Sequence, residues 1–232
     1  MLAGGAAMAV MATTARAADL TRQQAQQLND FPWLARYAYQ NAALLASGAP
    51  VNIVFMGDSI TERWQTLDPA FFSAGRICRG ISGQTTPQMV LRMMADVIAL
   101  RPRTVHILGG TNDIAGNTGP MTPERTLDNI RAMTMLAQQG GLAVLIGAIP
   151  PAAAFRWLPA IQPTQQIIAL NARLQAYARE AKAGWVDYHT ALATPEGGMR
   201  PGLSSDGVHP TAAGYGVMDA VLGPVLKARG IP

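Results

Sequence analysis

The sequence predicts an α/β fold built on one parallel sheet with helices on both faces. Three observations carry this. The runs VNIVFM (51–56), TVHILGG (104–110) and LAVLIGAI (142–149) are apolar almost throughout, the pattern of strands buried on both faces and not of half-exposed ones. Between them lie stretches of helical period, so strand and helix alternate along the chain. Three of the predicted strands also lead directly into polar, glycine-rich turns: Gly57-Asp58-Ser59, Gly80 to Gly83 and Gly109 to Asp113.

Taken in order, residues 19–47 read as a helix carrying Leu20, Leu28, Leu34, Leu44 and Leu45. The first strand is 51–56, and ICRG (77–80) is a short second one. Residues 86–100 place Val90, Leu91, Met94, Val97 and Ile98 at helical spacing. The third strand is 104–110. Thr122-Pro123-Glu124 is a helix start, with a capping hydroxyl, proline at the first position and an acid near the positive end of the dipole. That helix should stop at Gly140-Gly141. The fourth strand, 142–149, leads into a proline-punctuated loop, 150–163, with exposed-looking Phe155, Trp157 and Leu158. A helix over 164–182, a last strand at 185–188 and a closing helix over 211–229 complete the chain. Five strands fit one doubly wound sheet in the order 2-1-3-4-5, with no internal repeat, linker or second domain in residues 19–232.

Composition narrows the function. About half of the 232 residues are hydrophobic and 14% are charged, which is ordinary globular composition. The net charge of +4 comes almost wholly from scattered arginines, with no basic run or basic helix face, so nucleic acid is not an expected partner. The single cysteine, Cys78, excludes an intrachain disulfide and a multi-cysteine metal site, and reads as a buried, inert thiol. Residues 1–18 are small and apolar, and Ala15-Arg16-Ala17 has the form of a signal-peptidase site, but no basic n-region precedes it. We read the segment as a signal remnant, which implies a periplasmic or secreted protein. Retained as an N-terminal extension, it would leave the protein cytoplasmic. No other stretch is long and apolar enough for stable membrane insertion. The oligomeric state is not legible.

In a doubly wound sheet, ligands bind beyond the carboxyl ends of the strands, and all three glycine-rich turns fall on that edge. One of them presents Ser59, a weak nucleophile without a base. The chain has three histidines. His106 lies inside a strand and reads as a core residue, while His189 follows Asp187-Tyr188 at a strand end. His209 stands in SSDGVHP, three residues after Asp206. In a tight turn of that spacing the carboxylate can take the Nδ1 hydrogen, leaving Nε2 free as a base. The alternative is a helix cap by Asp206 beside a surface histidine. Oxyanion donors are available on the same edge: the N–H groups of Ser59 and Gly83 and the amide of Asn112. Each also has a plainer reading as a tight turn. Asp58 is expected to hold the serine turn through backbone hydrogen bonds. The P-loop, the dinucleotide fingerprint and the G-x-S-x-G elbow are all absent; Thr61 stands where the last of these needs glycine. No cofactor or metal is expected.

Four segments, GDSI, GISGQ, GGTND and DGVH, occur in order between residues 57 and 209 and together resemble the four blocks of the SGNH hydrolase superfamily, the GDSL esterases and lipases. The chain is similar in particular to the platelet-activating-factor acetylhydrolase-like subgroup. The resemblance implies Ser59 as nucleophile, Asp206 and His209 as its partners, and Ser59, Gly83 and Asn112 as the oxyanion hole. It implies a three-layer α/β/α sandwich, in agreement with the flavodoxin-like five-stranded order read above. Ile60 stands where the name-giving motif has leucine, a conservative apolar change. The expected function is hydrolysis of carboxylic esters with short-chain acyl or aryl groups, through an acyl-enzyme. Phe155, Trp157 and Leu158 are candidate substrate-binding residues, with packing against the helices as their alternative. A carbohydrate O-deacetylase using the same residues is the rival enzyme. A non-catalytic binding module is a remoter one, since it should have lost one of Ser59, Asn112, Asp206 or His209.

Overall fold

The computed structural model describes residues 21–232, so the leader expected over 1–18 and the start of the first helix lie outside the described residues. The helix expected over 19–47 is two: α1 (Arg22–Asn29) and α2 (Ala35–Ser47). Between them Pro32 has no N–H to donate and biases its predecessor away from helical angles. The Asp30 carboxylate then restarts the chain by accepting from the N–H groups of Leu34 at 2.8 Å and Ala35 at 2.9 Å.

The chain continues as β1 (Ile53–Gly57), α3 (Ser59–Leu67), β2 (Arg76–Gly80), and α4 (Thr86–Asp96) with a 3-10 turn at Ile98–Leu100. Then follow β3 (Thr104–Leu108), α5 (Thr111–Ala115), α6 (Pro123–Gln139), β4 (Ala143–Gly147) and α7 (Pro163–Glu180). The last elements are β5 (Gly184–Val186), α8 (Tyr188–Leu192) and α9 (Ala212–Ala228). The last strand ends earlier than expected, because Asp187 caps a new helical turn by accepting from Thr190 N–H at 3.0 Å. Helix α6 starts as read, with Thr122 accepting from Arg125 N–H at 3.3 Å.

The sheet is parallel throughout, in the order β2-β1-β3-β4-β5. Its pleat divides the core. Val54, Met56, Val105, Ile107, Val144 and Ile146 face one layer, where Met89 and Met93 of α4, Ile130 and Met133 of α6 and Leu170 and Leu174 of α7 pack. Ile53, Phe55, Leu108 and Leu145 face the other, against α3, α8 and α9. The second layer is rich in aromatics: Trp64 stacks on Tyr215 with centroids 5.6 Å apart and meets Phe55 edge-on at 5.7 Å. His106 belongs to this core. It is fully buried, bonded through Nε2 to Tyr188 Oη at 3.0 Å, and burial pushes its pKa down to about 3. Cys78 is buried as expected, with its thiol pushed up to about 11 by burial.

Register positions the site. Gly57 pairs with Gly80 on one side and Leu108 on the other, so the turns after β1, β2 and β3 leave the sheet side by side. A side chain at Gly80 would come within 2.2 Å of Glu62 N, so glycine is what lets α3 lie against this edge. Helix α9, whose Tyr215 donates to the Ile60 carbonyl at 2.7 Å, brings the far end of the chain to the same place.

Candidate active site

Ser59 is the first residue of α3, and Asp58 is its cap. The Asp58 Oδ1 accepts from Ile60 N–H at 2.9 Å, the backbone role expected of it. The carboxyl is fully buried, and burial pushes its pKa up to about 7; the Ile60 bond opposes this and the nearby Asp113 adds to it.

The structure brings Ser59, His209 and Asp206 together. The Ser59 Oγ lies 2.9 Å from His209 Nε2, and His209 Nδ1 lies 2.7 Å from Asp206 Oδ2. Asp206 does not cap α9, whose cap is Thr211. Its Oδ1 instead accepts from the N–H groups of Val208 at 2.9 Å and His209 at 2.8 Å. Partial burial alone would raise the Asp206 pKa. The bonds from the His209 backbone, the imidazole and Val208 outweigh it and hold the carboxyl well below the usual carboxylate range. An ionised carboxylate only accepts, so Nδ1 carries the hydrogen and, in the neutral ring, the Nε2 lone pair faces the serine hydroxyl. Gly207, at φ +86°, allows the turn. Ser204 braces it, donating to the His209 carbonyl at 2.7 Å and accepting from Gly207 N–H at 2.9 Å.

A cleft of about 350 Å³ opens over these groups, lined also by Gly83, Asn112, Arg63 and Trp157. Among the described residues no acceptor takes the N–H of Ser59 or of Gly83. Gly83 has φ +79° and open space where a side chain would stand. One amide hydrogen of Asn112 goes to the Gln84 carbonyl at 2.9 Å, and the amide's contact with Asp58 Oδ2 is long, at 3.3 Å. Asn117 fixes the amide's orientation by donating to Asn112 Oδ1 at 2.9 Å, and it also reaches the Gly83 carbonyl at 3.2 Å.

Two expectations about the loop 150–163 are corrected. Phe155 is fully buried in the core and stacks beneath Trp157 with centroids 5.1 Å apart, so the ring cannot touch substrate in this conformation. Leu158 packs, partly buried, against the same core and does not line the cleft. Trp157 is 49% exposed and does line it. The loop folds its aromatic anchor inward because an exposed phenyl would forgo roughly 1.5–3 kcal/mol of burial. His189 lies outside the cleft, beside Trp185 in a separate cavity of about 120 Å³.

Sequence reasoning missed Glu62, Ser204 and Asn117. Glu62, one helical turn after Ser59, accepts from Ser82 N–H at 2.8 Å and Ser82 Oγ at 2.5 Å, and pairs with Arg36 of α2 at 2.9 Å. Its partners lie 20 and 26 residues away, so no local spacing announces them.

The sequence model of the GDSL-like lipase/acylhydrolase family matches residues 55–217, which hold all of these groups except Arg36. The chain belongs to that family. Its GDSL-like fold is shared with an acylhydrolase-designated protein of Bacteroides fragilis, 42% identical, covering 86% of this chain and 98% of that one, with a TM-score of 0.81. A GDSL-like lipase of Bacteroides thetaiotaomicron is 40% identical over 86% of this chain and 100% of its own, with a TM-score of 0.82. A Streptococcus protein described as a platelet-activating factor is 24% identical, covers 89% of this chain and 100% of its own, and shares the fold with a TM-score of 0.69. No curated protein matches. Family membership and the two Bacteroides relatives make this GDSL-like chain a hydrolase acting on esters.

Proposed function

We propose that the protein is a serine esterase that cleaves carboxylic esters of apolar acyl or aryl groups through an acyl-enzyme. The observation that carries the proposal is the hydroxyl–imidazole–carboxylate line, 2.9 Å and 2.7 Å between its members. His209 Nε2 takes the Ser59 proton as Oγ bonds to the ester carbonyl carbon. Charge moves to the carbonyl oxygen, where the N–H groups of Ser59 and Gly83 and the Asn112 amide are the available donors. The C–O bond to the alcohol then breaks, and the alcohol leaves with the proton held on His209. Water, deprotonated by the same imidazole, attacks the acyl-enzyme and releases the acid and Ser59. Asp206 stays ionised throughout and stabilises the imidazolium. The small apolar segment 1–18 supports export of the enzyme.

Ser59→Ala should lower turnover of p-nitrophenyl acetate by about 10⁴–10⁶ while leaving the circular dichroism spectrum unchanged. Wild-type rates in that variant would remove Ser59 from the mechanism.

A further inference from the structure

The Gly83 loop borders a second cavity as well as the cleft over Ser59. Beyond Ser82 and Gly83, which it shares with the cleft, lies a larger cavity of about 470 Å³ lined by Trp33, Ile81 and four glutamines. None of the described residues lining it is ionisable, so none of them offers charge to a ligand.

Four glutamines beside a tryptophan would suit a hydroxylated ligand if their amides were free. Three of them are committed. Gln84 donates to the Pro32 carbonyl at 2.7 Å and accepts from Arg92 Nε at 2.6 Å. Gln88 donates to the Phe31 carbonyl at 2.8 Å and accepts from Thr85 N–H at 3.1 Å. Gln26 donates to the Asp30 carbonyl. Gln84 and Gln88 thus have both ends of their amides engaged by the protein, and what remains for the cavity is mainly methylene surface, Ile81 and indole, with the Gln27 amide and the Gln26 oxygen on the α1 side.

The indole is held there at a cost. Trp33 has φ +55°, a left-handed conformation that is strained for a bulky side chain. Its N–H donates to Asp30 O at 2.8 Å, and the two glutamine bonds pin the carbonyls just before it. The segment is thus tied to the loop that carries Gly83, with the indole 38% exposed.

Direction follows from the chemistry. The leaving oxygen must reach His209 to collect its proton, whereas this cavity shares Ser82 and Gly83 with the cleft but not His209. The part of the ester that extends past Gly83 is the acyl part. We propose that this cavity is an acyl pocket, shaped for an uncharged apolar chain of several carbons. The inference rests on the serine esterase reading and narrows its substrate.

The test is kcat/KM for p-nitrophenyl acetate, butyrate and hexanoate, alongside butyl and hexyl acetate, on wild type, Trp33→Ala and Gln27→Trp. Wild type should gain up to about fourfold per acyl methylene until the pocket fills. The hexanoate-to-acetate ratio should fall about tenfold when the indole is removed, and similarly when Gln27→Trp fills the space from α1. A flat wild-type acyl profile, a ratio unchanged in both variants, or a preference that follows the alcohol at constant acetyl would each overturn the pocket. Those results would leave the esterase standing so long as Ser59-dependent hydrolysis of p-nitrophenyl acetate is seen; its absence would strike the esterase reading itself.

Discussion

Asp206 and Asp58 flank the Ser59 hydroxyl, one through His209 and the other through the backbone, and their surroundings drive them in opposite directions. Asp206 is met by hydrogen-bond donors that favour the charge, so its carboxyl is held low. Its contribution to stability is present above the ordinary carboxylate pKa and is lost as pH falls through the folded value. Asp58 is enclosed with few donors and is raised to about 7. The folded state therefore binds a proton that the unfolded chain has released between the ordinary carboxylate value and about 7, and stability falls as pH rises through that window. Asp219, whose Oδ1 accepts from Trp64 Nε1 at 3.0 Å, is raised to about 7 by burial and by Asp68, and acts with the same sign. His106, lowered to about 3, acts with the opposite sign, because the unfolded imidazole takes up a proton on acidification that the buried one refuses. The two carboxyls together outweigh it, so urea midpoints should be higher at pH 5 than at pH 8, and the difference should shrink in Asp58→Asn and again in Asp58→Asn/Asp219→Asn. A difference of unchanged size in the double variant would show that these carboxyls do not set it.

At the scale of elements, α3 does two jobs. Its first residue presents Ser59, and its next turn presents Glu62, which holds Ser82 beside Gly83 and pairs with Arg36 of α2. One rigid helix thus fixes the distance between the hydroxyl and the loop that supplies a candidate oxyanion donor. Glu62→Gln keeps the size but removes the charge. It should lower kcat by about ten- to a hundredfold with a smaller change in KM, because a displaced donor matters most once charge has developed. A KM effect with kcat intact would mean that Glu62 only shapes the entrance. The elements were largely legible where their signals are local, as in the Thr122-Pro123 start of α6 and the apolar run of β4. They were not legible where a side chain interrupts the pattern. Asp30 splits the first helix in two, and Asp187 turns Tyr188 from a strand residue into a helical one.

Across the whole molecule, one buried guanidinium joins the parts of the site. Arg92 of α4 donates to the carbonyls of Gly57 at 2.8 Å and Arg79 at 2.7 Å, to Gln84 at 2.6 Å and to Asp96 at 3.1 Å. It therefore braces the ends of β1 and β2 and the loop whose Gln84 carbonyl receives Asn112. Arg92→Met removes the ion-pair partner of the buried Asp96 carboxylate, leaving it, among the described residues, only the Asn41 amide at 2.7 Å, and should cost about 3–5 kcal/mol in denaturant unfolding. A loss below about 1 kcal/mol would reject the brace.

By itself the sequence determined the alternation of strands and helices, the sheet order and the identities of the groups gathered at its edge. Those depend on period, turn residues and the handedness of parallel connections, which neighbouring residues encode. Only the tertiary structure decided that a hydroxyl and an imidazole 150 residues apart stand within hydrogen-bond distance. It also decided that Phe155 turns inward while Trp157 faces the cleft, that Glu62 reaches Ser82, and that Trp33 walls a second cavity. The physical reason is common to all four. Each depends on which surfaces are left to bury once the layers close on the sheet, and that is a property of the packed chain, not of any one stretch of it.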